Sequence, residues 1–439
     1  MLSKGSVFIV GLIQVLQSAT FASAGSKSFD VKKSLGNLSP YFTPESTNGL
    51  VGGLGTGMPS ECSLQQVQLM HRHGSRYPLS SELVYIANLS TLLNSPDTTK
   101  RLDRLSLPGE WKFIQGDNRW SNVMTHDNLT ASGRLESFEH GVQFRLAYPS
   151  MPFEHILAGD QDRVVESAEW FRAGLFGRYL DDISTLSLIA EDNITISSIT
   201  PMDSCPNWSY TEFGQAPVDE WGAVYLPPIT KRINKILAPI QLTNNDVHGA
   251  LYACAYELAA FGNTTWCDVF TETEIKSFEY ELDLLMRGAF GYGLPNDMGP
   301  VLGSLFVTNL VNRLTNDTAN KTYVEFGHDT TIDLALTALG LAKDKSYPVR
   351  GPVNPSRKWR TSTQVPFSAM MVWEKWSCGK STKIRLLLNG IPFSLAPICP
   401  IDKRTGTCEL SAFVKGTETI RKVTWGDATW NTTCGNPGF

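Results

Sequence analysis

Apolar and polar positions alternate most clearly just ahead of residue 72. Val67 and Leu69 stand between Gln66 and Gln68, the period of two expected of a strand with one buried face, and this strand runs straight into His73. A second apolar run, Phe153-Glu154-His155-Ile156-Leu157-Ala158, is followed by the turn Gly159-Asp160-Gln161-Asp162. Val164, Ala168 and Phe171 then recur at helical spacing, so a helix is expected to begin near Arg163. In a third run, Val324 and Phe326 share one side and lead through Gly327 into His328-Asp329. Thr330 and Thr331 are expected to cap a helix carrying Ile332, Leu336 and Leu339, which Gly340 ends. Lys383 to Leu388 reads as a further strand. Residues 79–150 and 205–300 are loop-rich, helix-leaning and aromatic, and 25–61, rich in Gly, Ser and Pro, reads as an extended lead-in.

Three strand-to-helix switches thus each deliver charged or imidazole groups. In open α/β sheets ligands bind beyond the carboxyl ends of the strands, where helix N-termini offer N–H groups to anions. Such a sheet can bring His73, Arg163 and His328-Asp329 together although they lie far apart in sequence.

The chain has 439 residues, 42% hydrophobic, with a formal charge of −5. That length suits two to three domain-sized units. A weakly acidic chain without a basic tract is a poor nucleic-acid partner. The N-terminus reads as a secretory signal peptide over 1–24: Lys4, a mostly apolar Val7 to Leu16, then Ala22-Ser23-Ala24 before Gly25. The apolar run is broken by Gln14 and is shorter than the ~20 residues a membrane helix needs, and no later segment is long and apolar enough. The mature protein is expected to be secreted (extracellular, or held in the wall or periplasm) with no membrane span. Sequons begin at Asn37, Asn88, Asn128, Asn193, Asn207, Asn263, Asn316, Asn320 and Asn431, a density that suits a glycoprotein; Asn37 is the doubtful one, because Pro40 follows its Ser39. Eight cysteines suit an oxidising compartment and allow about 105 pairings. Local spacing favours Cys254–Cys267 and Cys399–Cys408. The absence of C-x-x-C pairs speaks against a metal site.

The chemistry concentrates in Arg72-His73-Gly74-Ser75-Arg76-Tyr77-Pro78. Two guanidiniums around one imidazole suit phosphate, which arginine binds in a planar, bidentate manner without losing its charge. Arg-His-Gly-x-Arg-x-Pro resembles the signature of the histidine acid phosphatases, the branch that includes fungal acid phosphatases and phytases. Asp162-Arg163-Val164 with Ser167-Ala168, His328-Asp329, and Leu129-Thr130-Ala131-Ser132-Gly133 resemble further motifs of that family, and the resemblance covers nearly all of the mature chain.

The resemblance implies an α/β, phosphoglycerate-mutase-like sandwich in which the three strands lie side by side. Residues 25–78, 151–204 and 301–439 would form the discontinuous catalytic domain, and 79–150 plus 205–300 a smaller, mainly helical cap. It also adds Cys62–Cys378 and Cys205–Cys434. His73 would be the nucleophile, with Arg72, Arg76, Arg163 and His328 holding phosphate oxygens and Asp329 protonating the leaving group, then activating water. No cofactor is expected; the partner is a small phosphomonoester, possible inositol phosphates included.

Other readings are weaker. His71 and His73 share a strand face, but Arg72 would repel a metal cation. His126-Asp127 follows polar Ser121-Asn122 and reads as a loop or capping feature, and His140, His155 and His248 as structural or solvated. A phytase pocket would be rimmed by extra cations, yet Leu79-Ser80-Ser81-Glu82 follows Pro78 and no lysine comes before Lys100, which favours a broad acid phosphatase. A non-catalytic surface glycoprotein of the same fold and a phosphoglycerate-mutase-like transferase are the remaining alternatives.

Overall fold

A computed structural model describes residues 29–45, 57–316 and 318–435. The signal-peptide expectation over 1–24 lies outside these residues. The described residues from 31 onward belong to one compact unit. Its strands are β1 (Cys62–Arg72), β2 (His155–Gly159), β3 (Thr185–Ile189), β4 (Thr322–Gly327), β5 (Met370–Cys378), β6 (Ser381–Leu388), β7 (Ile391–Phe393) and β8 (Cys408–Glu409). The helices of ten residues or more are α1 (Ser80–Leu93), α2 (Ala131–Ala147), α3 (Asp162–Phe176), α4 (Ala216–Ile236), α5 (Asn244–Phe261), α6 (Glu272–Phe290), α7 (Met298–Thr315) and α8 (Asp329–Ala338). None of the described helices is long and apolar enough to cross a membrane.

The strands form one mixed sheet in the order β3-β2-β4-β1-β5-β6-β7, with β8 on β6. The pairs β3–β2, β2–β4 and β4–β1 are parallel, and β5 joins β1 antiparallel. Register sets the site: His71 pairs with Phe326, Arg72 with Gly327, and Ala158 with Phe326, so the carboxyl ends of β1, β4 and β2 finish level.

Each face of the sheet is covered. Val67, Leu69, Ile156 and Phe326 pack under Phe144 of α2 and Phe171 of α3. Met70, Trp373, Ile384 and Leu386 pack under Leu310 of α7 and Ile332 and Leu336 of α8. Period-two alternation suggested a solvent-facing side at Gln66 and Gln68, but both are buried. Their amides instead serve α7: Gln66 Nε2 donates to Arg313 O and Asn320 O, and Gln68 Nε2 to Gln66 Oε1 and Leu310 O. Of these acceptors, Arg313 O belongs to the last turn of α7, where carbonyls lack internal partners.

The segment 34–39 is no loose lead-in. Leu35, Asn37 and Leu38 are buried, and Phe367 N donates to Ser39 O. Four disulfides, Cys62–Cys378, Cys205–Cys434, Cys254–Cys267 and Cys399–Cys408, leave no free cysteine among the described residues. Cys62 and Cys378 are register partners, so that bridge closes the open end of the β1–β5 pair.

Candidate active site

β1 ends at Arg72, and the chain stays pinned beyond it. His73 N donates to Gly327 O at 3.0 Å, and Arg72 N to Ala369 O at 2.9 Å. The following turn is shaped by two glycines in contact. A Cβ on Gly74 would lie 2.5 Å from Gly133 O, and one on Gly133 would lie 2.2 Å from Ser75 O. Only hydrogen fits at either position, which explains why the turn after His73 and the start of α2 both carry glycine. Thr130 caps α2 by accepting from Gly133 N, and its hydroxyl donates to Ser75 O. Glu136 of α2 accepts from Ser75 N and Oγ and from Ser368 Oγ.

His73 Nδ1 lies 2.9 Å from Gly74 O. A carbonyl only accepts, so Nδ1 carries the proton and Nε2 keeps its lone pair. Burial, then the charges of Arg163, Arg72, His328 and Arg76, push the imidazole pKa well below its ordinary value. The ring is therefore neutral and nucleophilic. His328 stands edge-on to it, with ring centroids 5.6 Å apart.

The three arginines arrive from different elements. Arg72 is wholly buried; its NH1 donates to Asn37 O and Val365 O, and NH2 lies 2.9 Å from Asp329 Oδ2. Burial lowers its pKa to about 10, which Asp329 partly offsets, so it remains cationic. Arg76 NH1 donates to Tyr256 OH at 3.0 Å and lies 3.5 Å from Glu82 Oε2. Arg163, on the first turn of α3, pairs with Asp127 at 2.8 Å.

His328 is the N-cap of α8, and Asp329 is its first residue. The Thr330 and Thr331 caps expected from sequence are displaced by two or three residues: Thr331 Oγ1 accepts from His328 N and donates to Ile199 O. His328 Nε2 faces both oxygens of Glu191, at 2.9 and 2.8 Å. Asp329 Oδ2 accepts from Asn37 Nδ2 and is ion-paired with Arg72 NH2, and Oδ1 accepts from Thr330 N. Burial alone would raise its pKa, but Arg72, the Asn37 amide, His328 and Arg76 outweigh burial and hold it below the usual carboxylate range.

These groups line one cavity of about 170 Å³ that includes His73, Arg76, Arg163, His328 and Asp329. Arg72 lies beneath it, tied to Asp329. A wider groove, about 810 Å³, sits at the other end of β1 around Gln65 and Lys321 and contains none of these groups.

Four side chains at this site were missed in the sequence. Asn37 was read only as a doubtful sequon, yet it is buried against Asp329. Asp127 does lie in a loop, at φ 65°, but its carboxylate faces Arg163. Glu82 entered only as a missing lysine. Glu191 follows β3 at the carboxyl edge of the same sheet, so the rule that found His73 and Asp329 would have found it had β3 been recognised. His71 is placed elsewhere: Nδ1 donates to Arg72 O, Nε2 lies 3.0 Å from His140 Nδ1, and the ring stacks on Phe326. Burial lowers its pKa to about 4. His248 is buried against Glu281, and His155 is exposed. Among the described residues no group of three or more His, Cys, Asp or Glu is placed to hold a metal ion.

The sequence profile of the histidine phosphatase superfamily (branch 2) matches residues 63–389. A thiamine-repressible acid phosphatase of Schizosaccharomyces pombe is 30% identical over 93% of this chain and 92% of its own. A phytase of Candida albicans is 26% identical over 99% and 94%. The crystal structure of the phytase from D. castellii superposes with a TM-score of 0.81 at 24% identity, covering 96% of this chain and 91% of that one. With its profile match spanning three quarters of the sequence and this fold beneath it, the chain belongs to branch 2 of the histidine phosphatase superfamily.

Proposed function

We propose that the protein is a secreted acid phosphatase that hydrolyses phosphate monoesters through a phosphohistidine on His73. The observation that carries this reading is the geometry of His73, its Nδ1 committed to Gly74 O and its Nε2 free, in a cavity it shares with Arg76 and Arg163. Nε2 attacks phosphorus and the bond to the ester oxygen breaks. Asp329 gives its proton to the departing alkoxide. Asp329 then takes a proton from water as that water attacks phosphorus and the P–N bond breaks, returning His73 to its starting form. The work is positioning and charge stabilisation, as phosphoryl transfer requires.

Acid pH suits this arrangement for two reasons. Asp329 must be protonated to act as the acid, and a bound phosphate anion draws on the positive charge that otherwise favours its carboxylate. His328 is held in place by Nε2 against Glu191. The helices α1 and α4–α6, with Tyr210 before them, would act as the cap over this site. Four disulfides and eight sequons with exposed or half-exposed asparagines fit the secretory route.

Phytase activity is the second reading, favoured by the relatives of that name. Phosphate release near pH ~5 from an aryl phosphate and from inositol hexakisphosphate tests both. Release from neither by folded protein would leave the fold without turnover.

A further inference from the structure

The cavity that holds the phosphate-binding groups also has an apolar wall, Leu79, Met202, Tyr210, Leu285, Met286 and Phe290. Leu285, Met286 and Phe290 lie on the last turns of α6 and are almost wholly buried. Phe290 is held from behind by Trp208, at 5.5 Å between ring centroids, and Tyr210 lies 6.4 Å from it at the rim. This wall is therefore fixed by packing and does not consist of loose side chains.

Glu82 and Asp203 join Glu191 and Asp329 in the lining beside Arg76 and Arg163, and among the described residues no lysine does. Arg76 and Arg163 are each already matched to a carboxylate, Glu82 and Asp127. Among the described residues the lining offers no further arginine or lysine for a second phosphate. The volume, about 170 Å³, is below the ~300 Å³ at which pockets for drug-sized ligands begin.

We propose that the site selects esters carrying a single phosphate on a small, apolar, flat leaving group, seated against Met202, Leu285, Met286 and Phe290, and disfavours substrates with several phosphates. The proposal rests on the phosphatase reading above and gives it a substrate class. A ring placed on this wall leaves water for apolar surroundings, which favours binding. A neighbouring phosphate would meet Glu82 or Asp203, where like charges in a partly desolvated site repel.

The test compares kcat/KM of the whole protein for 1-naphthyl phosphate, glycerol phosphate and inositol hexakisphosphate. Naphthyl phosphate should exceed the hexakisphosphate by about tenfold or more, the size of one well-buried apolar contact. Parity or reversal overturns the proposal and leaves the phosphatase reading intact. Hydrolysis of none of the three, by protein shown to be folded, overturns the reading itself. Met286→Ala provides a second arm, with glycerol phosphate as the internal control for folding. A loss of about tenfold on naphthyl phosphate, with glycerol phosphate nearly unchanged, supports the wall. An equal change on both esters, or none, contradicts it. If Met286→Ala does not fold, the wild-type comparison still decides.

Discussion

The Asn37 amide donates to Asp329 Oδ2 at 2.9 Å, sharing that oxygen with Arg72. Asn37 therefore helps set the protonation of an acid almost three hundred residues later in the chain. Both donors favour the carboxylate. Asn37→Ala removes one of them, so the Asp329 pKa should rise and the acid form should persist to higher pH. The limb on which kcat falls with rising pH should move upward for an alkyl phosphate. An aryl phosphate with a good leaving group, which needs little protonation, should change less. An unmoved pH profile would separate Asn37 from the acid.

Glu191 holds His328 with both carboxylate oxygens and is almost wholly buried. Glu191→Gln keeps the shape but removes the charge opposite the imidazole. A hydrogen bond to a charged group contributes about 1.5–3 kcal/mol, so kcat should fall about 10- to 100-fold with the fold intact. Steady-state kinetics at fixed pH measure this, and an unchanged kcat would show that His328 does not depend on its partner.

Asp333 lies one turn beyond Asp329 on α8, fully buried, and neither of its oxygens has a hydrogen-bond partner. Burial and then Asp329 raise its pKa well above the ordinary value, with Arg72 opposing and Asp283 adding to the rise. In the unfolded chain an aspartate ionises near about 3.9. The folded state thus binds a proton that the unfolded state releases, and stability from this group is full below that pH and is lost as pH climbs towards the folded pKa. Asp333→Asn removes the dependence. Thermal melts should show Tm of the variant gaining on wild type between acid and neutral pH. A gap that does not change with pH would contradict the buried neutral acid.

Gly133 touches the turn after His73 with no room for a methyl group. Gly133→Ala should cost about 1–3 kcal/mol in urea unfolding, as overpacking typically does, and should lower activity by displacing Ser75 and Arg76. Wild-type stability would show that the turn can give way.

Much of this was legible in the sequence because the strand-like runs leading to His73 and His328-Asp329, and the strand-turn-helix switch that carries Arg163, are local signals. The resemblance to known motifs supplied their proximity, and the level ends of β1, β2 and β4 account for it physically. What stayed hidden depends on tertiary partners. Gln66 and Gln68 look solvent-facing until α7 covers them, and Asn37 looks like a glycan acceptor until 34–39 folds onto Asp329. The apolar wall was illegible for a similar reason: Leu285, Met286 and Phe290 fall in the helix-leaning stretch 205–300, and only the cavity shows what they face.

The most direct test of the central claim is to trap the covalent intermediate. Protein mixed with an aryl phosphate, quenched in alkaline denaturant and digested should yield a phosphorylated peptide containing His73. The same experiment on His73→Ala should yield no such peptide and no turnover. Phosphate on another residue, or continued turnover by folded His73→Ala, would contradict the assignment of His73 as nucleophile.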